Sequence, residues 1–100
     1  MDKEKLYRQA YFQCARRAML ENEQVMRKFA EDVAKDNYNE EKLLRFNNLL
    51  TKMFDNDMFD IIMGQKSPEK FKDMYDLEIC TEIANYAEKR RKENNPILPE

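Results

Sequence analysis

Glycine and proline are scarce in this chain, and their scarcity limits the available folds more than any other sequence feature. One glycine and three prolines occur in 100 residues, which is little material for the tight turns of β-hairpins. Leu, Met, Glu, Lys, Arg and Ala are abundant and favour helices. The length is typical of one domain, and 42% hydrophobic residues suffice for one modest core. We therefore expect an all-α fold, a compact bundle of four to five short helices in a single domain spanning residues 1–100.

Apolar residues at three- and four-residue steps predict a first helix from Asp2 to about Met19. Phe12 lies off the apolar face of this helix, so it either packs against a later helix or is exposed for a partner. A second helix is expected to begin near Asn22 as its N-cap and to end around residue 35 or 36.

Capping residues predict the remaining helices. Asn39 is expected to cap a third helix that ends near Phe54, and the acidic stretch 55–57 precedes a short, strongly apolar fourth helix. Gly64 stands where a left-handed residue would close that helix. Ser67 and the proline after it predict a further helix start, and Asp76 predicts another. The last helix should run to about residue 93, and we expect residues 92–100 to form a mobile tail.

Charge and residue types exclude several classes of function. The net charge of −2 argues against nucleic acid as the main partner, because phosphate binding needs a surplus of Lys and Arg. Histidine is absent, which removes the commonest general base and disfavours an enzyme. Cys14 and Cys80 form no metal-binding motif and are expected to be buried thiols. No apolar run is long enough to span a bilayer, so we expect no direct membrane insertion.

The residues from Cys14 to Glu23 form the most informative stretch. If the first helix runs through it, Arg17 and Glu21 lie four residues apart on one face and can form an ion pair. Ala18 leaves the backbone between them easy to approach. A fixed charge pair beside bare backbone suits a docking site for another protein, although a solvated helix end has the same pattern.

This stretch resembles the Arg-Gly-x-x-Glu signature of the succinate dehydrogenase assembly factors, the small flavinator proteins of bacteria and mitochondria. Arg17 and Glu21 match the signature, Glu23 stands where an Asp often follows, and Ala18 replaces the Gly. The resemblance extends from about residue 7 to residue 96 and includes the Asp-Met-Phe helix that begins at residue 57. Two departures are Ile61, where many members carry tryptophan, and a longer segment between residues 67 and 75.

The resemblance implies a five-helix bundle and a function as a chaperone-like assembly factor, not as an enzyme. Such a factor binds the flavoprotein subunit of succinate dehydrogenase or of fumarate reductase and promotes covalent attachment of FAD to it. It implies that no cofactor is bound stably, that the protein is a monomer, and that it works in the bacterial cytoplasm or, as a mature organellar protein, in the mitochondrial matrix. The partner-binding residues would be Arg16, Arg17, Ala18, Glu21 and Glu23.

Two other interpretations stay open. A helical interaction module could bind a different client, since some family members are described as antitoxins. A helical nucleic-acid binder is the other, and the acidic balance argues against it.

Overall fold

Five α-helices and one short 3₁₀ helix make up most of residues 2–93, the part of the chain that this computed structural model describes. No strand occurs between residues 2 and 93, which confirms the all-α expectation. The helices are α1 (Lys3–Ala15), α2 (Leu20–Phe29), α3 (Glu40–Lys52), α4 (Asp55–Ile62) and α5 (Leu77–Lys92). The 3₁₀ helix, Pro68–Phe71, lies between α4 and α5.

Helix α2 does not stop at its last α-helical residue. The chain continues through a π-helical segment, Ala30–Ala34, and then through one more α-helical turn, Lys35–Asn37. Ala30 and Ala34 are both completely buried. The small side chains at the ends of the π-helical segment let it lie directly against the core.

Side-chain caps begin three of the helices. Asp2 accepts a hydrogen bond from the Glu4 amide, and Asn39 accepts one from the Lys42 amide at 2.8 Å. Asp76 accepts one from the amide of Ile79 at 3.2 Å. The predicted caps at Asn39 and Asp76 are therefore confirmed.

The turn after α4 contains the one glycine of the sequence. Gly64 has a φ of +75°, a conformation that costs other residues energy, and it follows the last turn of α4 as predicted. Arg91 of α5 donates a hydrogen bond to the carbonyl of Ile62 at the same helix end. Thus α5 supplies a cation where the carbonyls of α4 point outward.

Several predicted helix boundaries were wrong. The first helix ends at Ala15 and the second begins at Leu20, so residues 16–19 form a loop and not the end of a helix. Asn22 is not an N-cap but lies inside the first turn of α2. Ser67 makes no capping hydrogen bond, and the segment after it is 3₁₀. Of the expected tail, residues 92–100, Lys92 still belongs to α5 and Glu93 is its C-cap, and residues 94–100 lie outside the described residues.

Aromatic rings form the centre of the core. Phe29 of α2 contacts three other rings edge-on, with centroids 6.3 Å from Tyr38, 5.7 Å from Phe46 and 5.6 Å from Tyr86. Edge-to-face rings at these separations attract each other in addition to burying apolar area. This aromatic cluster connects α2, α3 and α5, while α1 packs across α3.

Cys14 and Cys80 are free and buried, as predicted. Burial raises the pKa of each thiol to about 12, so both stay protonated near neutral pH. They act as small apolar side chains in the core. Among residues 2–93, no helix is both long enough and apolar enough to cross a membrane.

Candidate functional site

Arg17 lies in the loop of residues 16–19 and points into the protein, not along a helix face. Its Nε donates to Oδ1 of Asp55 at 2.8 Å. Nη1 donates to the carbonyl of Leu50 and Nη2 to that of Met53, each at 2.8 Å. Only 9% of the side chain is exposed. The predicted ion pair between Arg17 and Glu21 is therefore absent, and Arg17 is paired inside the fold instead.

The end of α3 explains why an arginine lies here. The last carbonyls of a helix have no partner within the helix and need donors from elsewhere. The planar guanidinium of Arg17 offers several N–H groups in a fixed arrangement, so it can bind two of these carbonyls and a carboxylate together. Asp55 provides the carboxylate from the first turn of α4, where the helix dipole also favours a negative charge.

Asn22 reaches the same aspartate from the other side. It is completely buried, and its Nδ2 donates to the Asp55 carbonyl at 2.9 Å. The Oδ1 atom of Asn22 is buried with no hydrogen-bond partner among the described residues. Sequence reasoning missed the structural roles of both Asn22 and Asp55, because each was interpreted as a helix cap. The signal available for Asn22 was its position three and four residues before Val25 and Met26, on the apolar face of the same helix.

The remaining residues around the loop face outward. Arg16 is exposed, and its guanidinium carbon lies 4.9 Å from the ring centre of Phe12, a distance suited to a cation–π contact. Phe12 is 57% exposed and Phe54 is 69% exposed. Phe54 directly follows Met53, which binds Arg17. The prediction left two positions open for Phe12, and the structure places it at the surface.

We define the loop surface as the exposed and half-exposed residues on and around the loop. Its members are Phe12, Arg16, Ala18, Leu20, Glu21 and Phe54. Neither Arg16 nor Glu21 has an ion-pair partner within residues 2–93. Beside Arg16 there is an open depression of about 310 Å³, which Phe12 and Met53 also line.

Glu23 behaves differently from Glu21. Its carboxylate forms an ion pair with Arg27, one turn later in α2, and the distance from Oε2 of Glu23 to Nη1 of Arg27 is 3.1 Å. It also lies in the first turn of α2, where the helix dipole favours a negative charge. Of the five predicted partner-binding residues, the structure thus exposes Arg16 and Ala18, half-exposes Glu21, turns Arg17 inward and pairs Glu23 within its own helix.

A second charged cluster connects α3 to α5. Arg45 donates to both carboxylate oxygens of Asp76, at 2.8 and 3.0 Å, and also to Glu78. Partial burial alone would raise the pKa of Asp76, but hydrogen bonds from Arg45 and the Ile79 amide hold it below its ordinary value. These charges are paired with each other, so this cluster holds two helices together. No group of three metal-ligating side chains converges in the described part of the chain.

Comparison with known proteins places the chain in a family. Residues 8–87 match the family described as "Flavinator of succinate dehydrogenase". Neither the comparison with curated proteins nor that with solved structures found a match. The matched range includes α2, α3 and α4 entirely, together with the loop, Arg17 and Asp55.

The match confirms the resemblance drawn from the loop sequence. Members of this family are assembly factors that promote covalent attachment of FAD to the flavoprotein subunit of succinate dehydrogenase, and they are not enzymes. The chain belongs to the family of succinate dehydrogenase flavinators.

Proposed function

We propose that this chain binds the flavoprotein subunit of succinate dehydrogenase, or of the related fumarate reductase, through the loop surface. The observation that carries the proposal is that exposed aromatic rings and charges of both signs surround an anchored loop. Phe12 and Phe54 are large apolar side chains in water, and Arg16 and Glu21 are charges of opposite sign that form no ion pair within residues 2–93. Aromatic residues and arginine are the types that contribute most to protein–protein binding.

Anchoring supports the same proposal. Three hydrogen bonds from Arg17 and one from Asn22 fix the loop against α3 and α4. A surface that is already ordered loses little conformational entropy when it binds. The loop can therefore act as a rigid surface against which the client is held.

The mechanism that fits such a surface is a shift in client conformation. A partner that binds one conformation of the flavoprotein more tightly raises the population of that conformation. If the favoured conformation places the flavin next to its attachment residue, covalent attachment becomes faster without any catalytic group from this chain. In this proposal the chain acts as a monomer and does not hold FAD itself. It works where its client acquires FAD, in the bacterial cytoplasm or the mitochondrial matrix.

Client binding by charge-neutral variants tests the proposed surface. The double variant Arg16→Ala/Glu21→Ala should bind the flavoprotein subunit about tenfold or more weakly, because both unpaired charges are lost. The matched control is Glu88→Ala/Lys92→Ala, which also removes one acid and one cation. That exposed ion pair lies at the end of α5 next to Arg91, which reaches Ile62 at the C-terminal end of α4, opposite to Phe54. Equal affinities for the two double variants would contradict the proposed surface.

A further inference from the structure

We infer that Asn22 and Asp55 are positioning residues for client binding, and that with Arg17 they form a partly buried clamp that holds the loop surface in its binding geometry. The inference rests on the proposed function, because it concerns how the same surface is kept in place. Neither residue was among the predicted partner-binding positions.

The clamp joins three separate parts of the chain at one residue. Arg17 comes from the loop, Asn22 from the first turn of α2 and Asp55 from the first turn of α4. Arg17 binds the Asp55 carboxylate at 2.8 Å, and Asn22 binds the Asp55 backbone carbonyl at 2.9 Å. Both ends of the segment that carries Ala18 and Glu21 are thus fixed to the same residue of α4.

Burial separates positioning from direct contact. Asn22 has no exposed surface, so a client cannot touch its side chain while the domain is folded. Yet Asn22 is the immediate neighbour of Glu21, and the direction of the Glu21 side chain depends on how this turn of α2 is seated. Any effect of Asn22 on client affinity must therefore pass through the exposed residues.

Stability alone does not explain an asparagine at this position. One of its polar atoms, Oδ1, is buried and has no hydrogen-bond partner in the stretch 2–93, and such a group costs stability. An apolar side chain of similar size would avoid this cost, although it would leave the Asp55 carbonyl without the Asn22 donor. Single buried polar residues are known to fix the register of neighbouring helices at the expense of stability. That role fits Asn22, which sets α2 against α4.

A double-mutant cycle tests the clamp directly. Affinity for the flavoprotein subunit is measured for the wild type, Glu21→Gln, Asn22→Leu and the double variant, each corrected for its folded fraction by circular dichroism. We expect Glu21→Gln to weaken binding about tenfold in the wild type but less than about twofold in the Asn22→Leu background, because Glu21 is then misplaced. Asp55→Ala, which removes the carboxylate that Arg17 binds, should give the same result if Asn22→Leu is poorly folded.

Asn47 provides a matched control. It is also a buried asparagine, but its Nδ2 donates to carbonyls of Leu6 and Leu43 and its Oδ1 accepts from Gln13, so it joins α1 to α3 and makes no hydrogen bond to the clamp. In the Asn47→Leu background, Glu21→Gln should still cost about tenfold. If Glu21→Gln costs the same in the Asn22→Leu background as in the wild type, the clamp is overturned while the proposed surface stands. If Glu21→Gln and Arg16→Ala have no effect in the wild type, the proposed surface fails and the clamp fails with it.

Discussion

Arg17 donates a hydrogen bond from Nε to Oδ1 of Asp55 at 2.8 Å, and this contact joins the loop after α1 to the start of α4. The charged residue that most strongly suggested a client contact is therefore mostly buried and paired within the protein. Beside it, Arg16 is exposed and Glu21 half-exposed, and neither forms an ion pair within residues 2–93, so both can meet a partner. This division between a buried anchor and an exposed surface leads to separate predictions for the two sets of residues.

Replacing Arg17 with alanine should destabilise the domain. The change leaves the Asp55 carboxylate and two carbonyls of the α3 end without their donor. We expect a loss of about 2–4 kcal/mol in the free energy of unfolding, measured by urea denaturation at neutral pH. Arg16→Ala is the matched control, because that arginine is exposed and should change stability by less than about 0.5 kcal/mol. Equal stability losses for the two variants would contradict the assignment of Arg17 as the anchor.

Placing a long charged side chain at position 18 should abolish client binding without unfolding the protein. Ala18 is exposed in the loop, so an arginine there can extend into water in the free protein. Against a docked client the same side chain would separate the two surfaces. We expect Ala18→Arg to keep the circular dichroism spectrum of the wild type and to lose capture of the flavoprotein subunit. An intact spectrum together with undiminished capture would show that the loop does not face the client.

Phe54 should matter for binding and not for folding. Its residue surface is 69% exposed, and it is the N-cap of α4 without a capping side chain, so Phe54→Ala removes little buried area from the core and adds no new cap. The free energy of unfolding should change by less than about 0.5 kcal/mol. Client affinity should fall by about tenfold, since a large aromatic side chain at an interface commonly contributes more than 1 kcal/mol. Unchanged affinity would remove Phe54 from the loop surface.

The Arg45–Asp76 pair predicts how stability depends on pH. The pKa of Asp76 in the folded protein lies below its ordinary value of 3.8, so its ionised form is stabilised by folding. This contribution is fully present above pH 3.8 and is lost as the pH falls through the lower, folded pKa. Asp76→Asn keeps an N-cap side chain but removes the charge.

The measurement is the free energy of unfolding of both proteins between pH 7 and pH 2. Asp76→Asn should be less stable by about 1 kcal/mol at pH 7, because a charge-assisted bidentate hydrogen bond is lost. The difference should shrink as the wild type becomes protonated below pH 3.8. A difference that is constant across this range would show that the charge of Asp76 contributes nothing to stability.

The sequence predicted the helices well wherever the signal was local. Asn39 and Asp76 cap helices through their own side chains, and Gly64 closes α4 with a positive φ. Each of these features depends on interactions within a few residues of chain, so composition and spacing were sufficient to find it. The recurrence of apolar residues at three- and four-residue steps likewise located the helices that form the core.

The loop was mispredicted because its structure depends on distant residues. Arg17 lies outside a helix, and its side chain donates to Leu50, Met53 and Asp55. These partners are more than thirty positions away in the sequence, so a local pattern does not reveal them. Asn22 resembled an N-cap by residue type, but it is buried against α4. The π-helical segment of Ala30–Ala34 had no sequence signature at all. The candidate site was therefore located by its motif, whereas its division into buried and exposed residues required the structure.

The most direct test is to co-express this chain with the succinate dehydrogenase flavoprotein subunit from the same genome and to view a denaturing gel for flavin fluorescence. Only covalently attached FAD remains on the denatured subunit, so the band reports the assembly function itself. We predict a fluorescent band that fades when this chain is omitted and when it carries Arg16→Ala/Glu21→Ala, but not when it carries the control pair Glu88→Ala/Lys92→Ala. A band that is equally bright without this chain would contradict the account.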